Sequence, residues 1–172
     1  LLIGVLAVST ASTFSRLAQR DVPSLALAAW RLTFASTILA PPAISRSRNE
    51  WQRLHQRDWW LMLGSGAVLA VHFYTWITSL AMTSVAASVV LVTTNPLFVG
   101  LISHFFLREH MTRQVFGGML VAVLGSAIIG LGDLGEGTHH LFGDLLALAG
   151  AVAIAVHMLL GRRLRRHLSL LG

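Results

Sequence analysis

Six apolar runs of roughly 20 residues each, joined by short polar connections, constrain this chain more than any other feature. A run of that length matches the hydrocarbon core of a bilayer, about 30 Å at 1.5 Å of rise per helical residue. In lipid each backbone N–H and C=O must be satisfied within the segment, so the runs predict helices. They cover residues 1–18, 24–44, 59–80, 85–107, 114–132 and 142–161. Pro23 is placed to open the second, and Thr112 to N-cap the fifth. The stretch GDLGEG, residues 132–137, separates the fifth from the sixth. Charged residues are only 12% of the chain and hydrophobic ones 55%, whereas a soluble domain carries about 25% charged residues. The expected fold class is all-α, a polytopic membrane helical bundle with six transmembrane helices present.

Arginine placement orients the bundle. All 13 basic residues are arginine, and the formal net charge is +6. Arg46, Arg48, Arg53, Arg57, Arg108, Arg113, Arg162, Arg163, Arg165 and Arg166 fall on one side of an alternating six-span chain. The other side holds Arg16 and Arg20 beside Asp21, the uncharged turn at Met82-Thr83, and the acidic loop with Asp133 and Glu136. The positive-inside rule makes the arginine-rich side cytoplasmic, so the N-terminus is cytoplasmic and the protein sits multi-pass in the cell (inner) membrane. Trp51, Trp59 and Trp60 flank the third span where an aromatic belt belongs. The basic stretches lack interleaved aromatics, so no nucleic acid is expected as a partner. The chain has no cysteine, which removes disulfides and thiolate metal sites. The apolar start at Leu1, without an initiator Met, points to a cut N-terminus; 1–18 is too long and too rich in Ser and Thr at its end for a signal peptide.

Several phrases in the run Asp58–Leu131 occur in a telling order: SLAMTSVAAS at 79–88, NPLF at 95–98, LREHMT at 107–112, then the Gly-rich fifth span. Upstream stands VPSLALAAWRLTFAS at 22–36. Together these resemble the EamA-type repeat of the drug/metabolite transporter superfamily. The resemblance implies an expected ten helices, arranged as two inverted five-helix repeats around a midplane site. FGDLLALAGAVAIAVHMLLGRRLRR, 142–166, looks like the opening helix of the second repeat. The domain expectation is a first repeat over 1–132, an outer loop at 133–141, and a truncated second repeat over 142–172. Partners expected on this reading are a small-molecule solute, the lipid bilayer and the missing second-repeat helices; ion or proton coupling stays unassigned.

Polar residues inside the spans are the candidates for a substrate cavity. On a continuous fourth helix advancing 100° per residue, Ser84, Ser88 and Asn95 lie within about 40° of one another. On the same wheel Thr93 falls about 180° away. Pro96 is expected to kink this helix and free the Val92 carbonyl. The stripe either lines a cavity or satisfies itself against a neighbouring helix. His72 and Trp76, four apart on the third span, either stack a planar substrate or pack on the fourth span. Ser9, Ser12 and Thr13 give the first span a polar edge, read either as cavity wall or close packing. Histidine is the side chain whose ordinary titration falls near neutral pH, so His72 and His157 are candidates for proton coupling. Arg31 is an intramembrane charge with a structural, orienting or anion-binding role. Gly64, Gly66, Gly117, Gly118 and Gly125 are read as helix-packing points. Asp133, Glu136, His139 and His140 match no metal-ligand spacing, so no metal or cofactor is expected.

The leading function is a secondary transporter exporting a small metabolite or drug-like solute by alternating access. A dimeric small multidrug exporter needs a carboxylate in its first helix, and 1–18 has none. A non-transporting membrane scaffold or receptor is the alternative. An intramembrane enzyme is a third reading, for which Ser88 or Ser103 with His72 or His104 lacks a supporting carboxylate; no catalytic residue is assigned.

Overall fold

The computed structural model describes residues 2–46, 54–133 and 138–165. Trp51, Arg48, Arg53, Glu136 and Arg166 lie outside them, as do the side chains of Ser9, Arg46 and Asp133. Among the described residues the elements are all helical: α1 (Leu2–Ala18), α2 (Ser24–Arg46), α3 (Gln56–Met82), α4 (Val85–Val92), α5 (Asn95–Leu107), α6 (Arg113–Asp133) and α7 (Thr138–Leu164). The helices α4 and α5 are the two halves of the fourth expected span. The sixth span starts four residues earlier than expected, so much of the expected outer loop is its first turn. Nothing in Thr138–Leu141 breaks a helix, and the turn simply continues.

Three stretches are long and apolar enough to cross a membrane: Gln56–Met82, Val85–Leu107 and Thr138–Leu164. The other expected spans are helical but fall short of that measure among the described residues. Helix α1 has 17 residues described, and α6 is apolar over Arg113–Ile128. Helix α2 has 23 residues but includes Arg31, several hydroxyl residues and Pro41-Pro42. Large apolar side chains face outward, among them Ile38, Phe105, Phe106, Val121 and Ile128, each at least 70% exposed. A soluble monomer seldom presents such a surface, and lipid covers it at no hydrophobic cost. The chain is a multi-pass membrane helical bundle.

The bundle is organised around α3 and α7, which share its most extensive contact. Every fourth residue of α7 on one face is small: Gly143, Ala147, Ala151 and Ala155, all buried. Small residues let two helix backbones approach closely, and tight packing substitutes for the hydrophobic effect that lipid removes. The approach is closest at Gly143, where an added Cβ would lie 2.8 Å from the Thr83 backbone nitrogen. At Gly150 it would lie 3.2 Å from the Thr75 hydroxyl. Those are the packing glycines of the α3–α7 seam. At the five expected from the sequence, Gly64, Gly66, Gly117, Gly118 and Gly125, an added Cβ meets nothing within 4 Å among the described residues.

Polar side chains bridge the same seam. His72 Nδ1 lies 2.8 Å from the Gly150 carbonyl oxygen. His157 Nδ1 lies 3.0 Å from the Ser65 carbonyl oxygen and 2.9 Å from its Oγ. Thr83 Oγ1 donates to Asp144 Oδ1 at 2.8 Å. Helix α4 joins through Ser88, whose hydroxyl is 2.6 Å from that of Ser79 and which is fully buried. At the end of α3, Arg16 Nη1 donates to the Leu80 carbonyl, and Gln19 Nε2 donates to that of Ile77 at 2.6 Å. A cation at a helix C-terminus offsets the negative end of its dipole. Ala28 of α2 completes the apolar core with Trp76, Ile77, Leu80 and Val92.

Local signals at the helix ends behave as read. Pro23 directly precedes α2 and its carbonyl accepts from the Leu27 N–H at 3.1 Å. Thr112 Oγ1 accepts from the Val115 N–H at 3.3 Å, an N-cap for α6. At the far end of α5, Arg108 takes the left-handed conformation (φ 54°) as the Glu109 N–H turns back to the Ser103 carbonyl at 3.2 Å. A side chain there is strained by about 1 kcal/mol, and glycine is not. Arg108→Gly is expected to raise stability by about 0.5–1 kcal/mol, read as a higher melting midpoint in detergent. An unchanged or lower midpoint counts against that strain.

Candidate functional site

The site is built on the interruption of the fourth span. Proline has no N–H to donate, and its ring collides with the carbonyl four residues back. Pro96 would face Val92, and α4 ends at Val92. Thr93 and Thr94 form a turn, and α5 restarts at Asn95 with Pro96 in its first turn, the helical position proline tolerates best. The interruption lies about 4 Å from the middle of the 23-residue span at 1.5 Å per residue.

The freed backbone groups find local partners. Thr93 Oγ1 donates to the Val90 carbonyl at 2.8 Å, and Thr94 Oγ1 to that of Leu91 at 2.6 Å. Asn95 Nδ2 points back to the Val92 carbonyl at 3.4 Å. The carbonyl expected to be free is therefore the acceptor for the asparagine.

The break also dissolves the expected stripe. Wheel arithmetic assumes one continuous helix, and the span is two. Ser84 stands outside α4 as its N-cap, with its Oγ accepting from the Ala87 N–H at 3.0 Å. Ser88 is buried against Ser79, and Asn95 is turned to its own backbone. Ser84, Ser88 and Asn95 thus turn to three different partners. Thr93 and Thr94, set aside on the wheel, instead line a cleft of about 350 Å³ with Pro96 and Leu97. Its opposite wall is Val115, Gly118, Met119 and Ala122 of α6. A Cβ at Gly118 would meet nothing within 4 Å, so the missing side chain leaves that wall open.

The remaining candidates are distributed elsewhere. His72 and Trp76 stack, with centroids 6.0 Å apart and planes 10° from parallel, but both are buried at the α3 core. His72 is turned to α7 rather than to the fourth span, while Trp76 packs with Val92. His157 is held by Ser65 on the same seam. In α1 Thr13 is exposed while Ser12 is buried. Arg31 reaches inward from α2, its Cζ 4.9 Å from the Phe73 ring centroid and 5.5 Å from that of Trp76. A second, mostly apolar cleft of about 380 Å³ lies between α5 and α7, ending at Arg162 and Arg163. Arg162 there pairs with Glu109 through both terminal guanidinium nitrogens, Nη1 and Nη2.

Two buried polar residues of the α3–α7 region escaped the sequence reading. Asp144 is a carboxylate inside the sixth span and 6% exposed. Its signal was available, since an acid within the apolar run 142–161 is conspicuous by charge alone. Ser79, fully buried with its hydroxyl also donating to the Trp76 carbonyl at 2.7 Å, gave no comparable signal.

Comparison with known proteins places this architecture. The model of the EamA-like transporter family matches residues 1–131, three quarters of the chain. The chain belongs to the EamA-like transporter family. An uncharacterized transporter of Archaeoglobus fulgidus is 29% identical over 146 residues, covering 84% of this chain and 50% of that protein. The uncharacterized transporter YetK of Bacillus subtilis is 36% identical over 86 residues, 48% of this chain and 26% of YetK. The chain thus spans at most about half the length of these curated relatives. No solved structure matches it. In this EamA-like chain the family match takes in α1 to α5 and nearly all of α6, so the break and its cleft lie within it. Helix α7, which carries Asp144 and His157, lies beyond it.

Proposed function

We propose that this chain is the first repeat and the opening helix of a secondary transporter that moves a small metabolite or drug-like solute outward by alternating access. The observation that carries this reading is the mid-span break beside its cleft. Irregular backbone at membrane depth is tolerated where it is buried in protein or lines a water-accessible cavity, and transporters bind solute at such discontinuous helices. The C-terminal carbonyls of α4 and the first turn of α5 meet at this point, and Thr93 and Thr94 keep hydroxyl oxygens beside the cleft. Family membership and relatives named as transporters support the same reading. So does the arginine bias, which sets the N-terminus in the cytoplasm and the paired ends of α3 and α4 outside. The proposed repeat boundary falls at 132, with the rest of the second repeat completing the cavity.

Hydrolytic chemistry fits the geometry less well. The Ser65–His157 pair is close, but Nδ1 also faces the Ser65 carbonyl, which only an N–H can satisfy. A nitrogen donating its proton there is not a base for the serine.

The absence of native cysteine makes access directly measurable. Single cysteines at 93, 94 and 118 are expected to react with a membrane-impermeant thiol reagent, and cysteines at 79 and 88 to stay silent. Solute counterflow in proteoliposomes is expected to fall at least tenfold when Gly118→Leu fills the cleft. Labelling at 88 with silence at 93 and 118, or undiminished counterflow in Gly118→Leu, sinks the assignment.

A further inference from the structure

Arg31 is an intramembrane cation whose neighbours are aromatic rings rather than acids. Its guanidinium lies over Phe73 and Trp76, and among the described residues it makes no hydrogen bond and no ion pair. Stacking occupies the faces of a guanidinium and leaves the five N–H donors around its edge unsatisfied. Leaving such a group in a bilayer without an acceptor is unfavourable. A second donor stands beside it. Trp76 is 8% exposed, and its Nε1–H has no acceptor among the described residues, although a buried indole N–H normally finds one.

The surroundings indicate what could supply the acceptor. Arg31 borders a cleft of about 330 Å³ between α1, α2 and α3. The other walls are apolar or small, among them Phe14, Leu27, Trp30 and Ile77. One fixed cation at the edge of an apolar groove suits an anion carried on a hydrophobic body. Arg16 and Arg20, at the adjoining end of α1, add positive charge to the approach, offset by Asp21. The aromatic stack holds Arg31 in place before any ligand arrives, which spares the ordering of a long side chain on binding.

We propose that Arg31, Trp76 and this cleft form a binding site for the carboxylate or phosphate head of an anionic amphiphile. The guanidinium edge takes two oxygens, the N–H of Trp76, whose ring centroid is 5.5 Å from the guanidinium carbon, is the further donor proposed for the same head, and the apolar body lies along Phe14, Leu27 and Ile77. The same chemistry occurs in an anionic phospholipid of the bilayer and in a fatty acid arriving from solution. The cleft shares no lining residue with the one at the α4–α5 break, and its occupancy is read without solute transport.

The test reads binding rather than flux, with the whole protein in lipid nanodiscs. Native mass spectrometry follows retention of phosphatidylglycerol against phosphatidylcholine. In discs of phosphatidylcholine alone, calorimetry follows titration with decanoate against decanol. Preferential retention of phosphatidylglycerol identifies the lipid source, and binding of decanoate but not decanol identifies the soluble one. In either arm Arg31→Gln is expected to weaken the anion about tenfold or more, with Arg31→Lys intermediate because it lacks the planar fork. Trp76→Phe keeps the ring and removes the donor, and a weakening of roughly threefold to tenfold is expected. This variant also serves if Arg31→Gln fails to fold. No preference for either anion over its neutral analogue overturns the site, as do wild-type affinities in Trp76→Phe and in any folded Arg31 variant.

Discussion

Gly143→Val lowers the unfolding free energy by about 1–3 kcal/mol, the usual penalty for inserting atoms into a packed seam. The penalty arises because the atoms the new Cβ would meet are backbone: Thr83 N at 2.8 Å and Met82 C at 2.9 Å. A flexible side chain can swing aside, but the turn between α3 and α4 cannot, so α7 itself must move. Gly64→Val is the control. A Cβ there meets nothing within 4 Å, and its effect is expected to stay within about 0.5 kcal/mol. Both are read as melting midpoints in one detergent. Equal midpoints for the two variants refute the close approach of α7 to the Met82-Thr83 turn.

The second large effect is electrostatic and sits beside the first. Thr83→Val removes the hydroxyl that donates to Asp144 Oδ1 at 2.8 Å and leaves a buried carboxylate one donor short. Stability is expected to fall by about 1–3 kcal/mol. Replacing both partners with apolar groups removes the group to be solvated as well as its donor. The double variant Thr83→Val/Asp144→Leu is therefore expected to be more stable than the sum of the singles predicts, by more than about 0.5 kcal/mol. Strict additivity in the cycle shows that the bond contributes nothing.

How much of this was legible beforehand follows from what each inference assumed. The six helices were readable because apolar run length is a direct constraint of the bilayer, and the ends at Pro23 and Thr112 because capping is local. The fourth span was read correctly as irregular at Asn95-Pro96 but wrongly as one continuous helix. That single assumption moved Thr93 and Thr94 to the wrong side and assembled Ser84, Ser88 and Asn95 into a stripe they do not form. Glycines mislead for a related reason. A sequence shows where close packing is permitted but not which face another helix uses, so Gly64 and Gly117 were read as packing points and Gly143 was not. The spacing of four that links Gly143, Ala147, Ala151 and Ala155 was visible in the sequence and marks the seam better than glycine alone.

The two histidine bridges have one further consequence. On α3 the small residue and the histidine stand seven apart (65 to 72), and on α7 the same spacing recurs (150 to 157), so the antiparallel helices clasp each other reciprocally. A slide by one turn, about 5.4 Å, would part both clasps at once and leave both histidines without these partners. The two rods are thus pinned at two points against both sliding and pivoting. Helix α6 has no comparable fastening among the described residues: Ser126, for example, donates to its own helix at Ala122. Of the elements around the cleft at Thr93 and Thr94, α6 is therefore the wall without a polar tie to the pinned pair among the described residues.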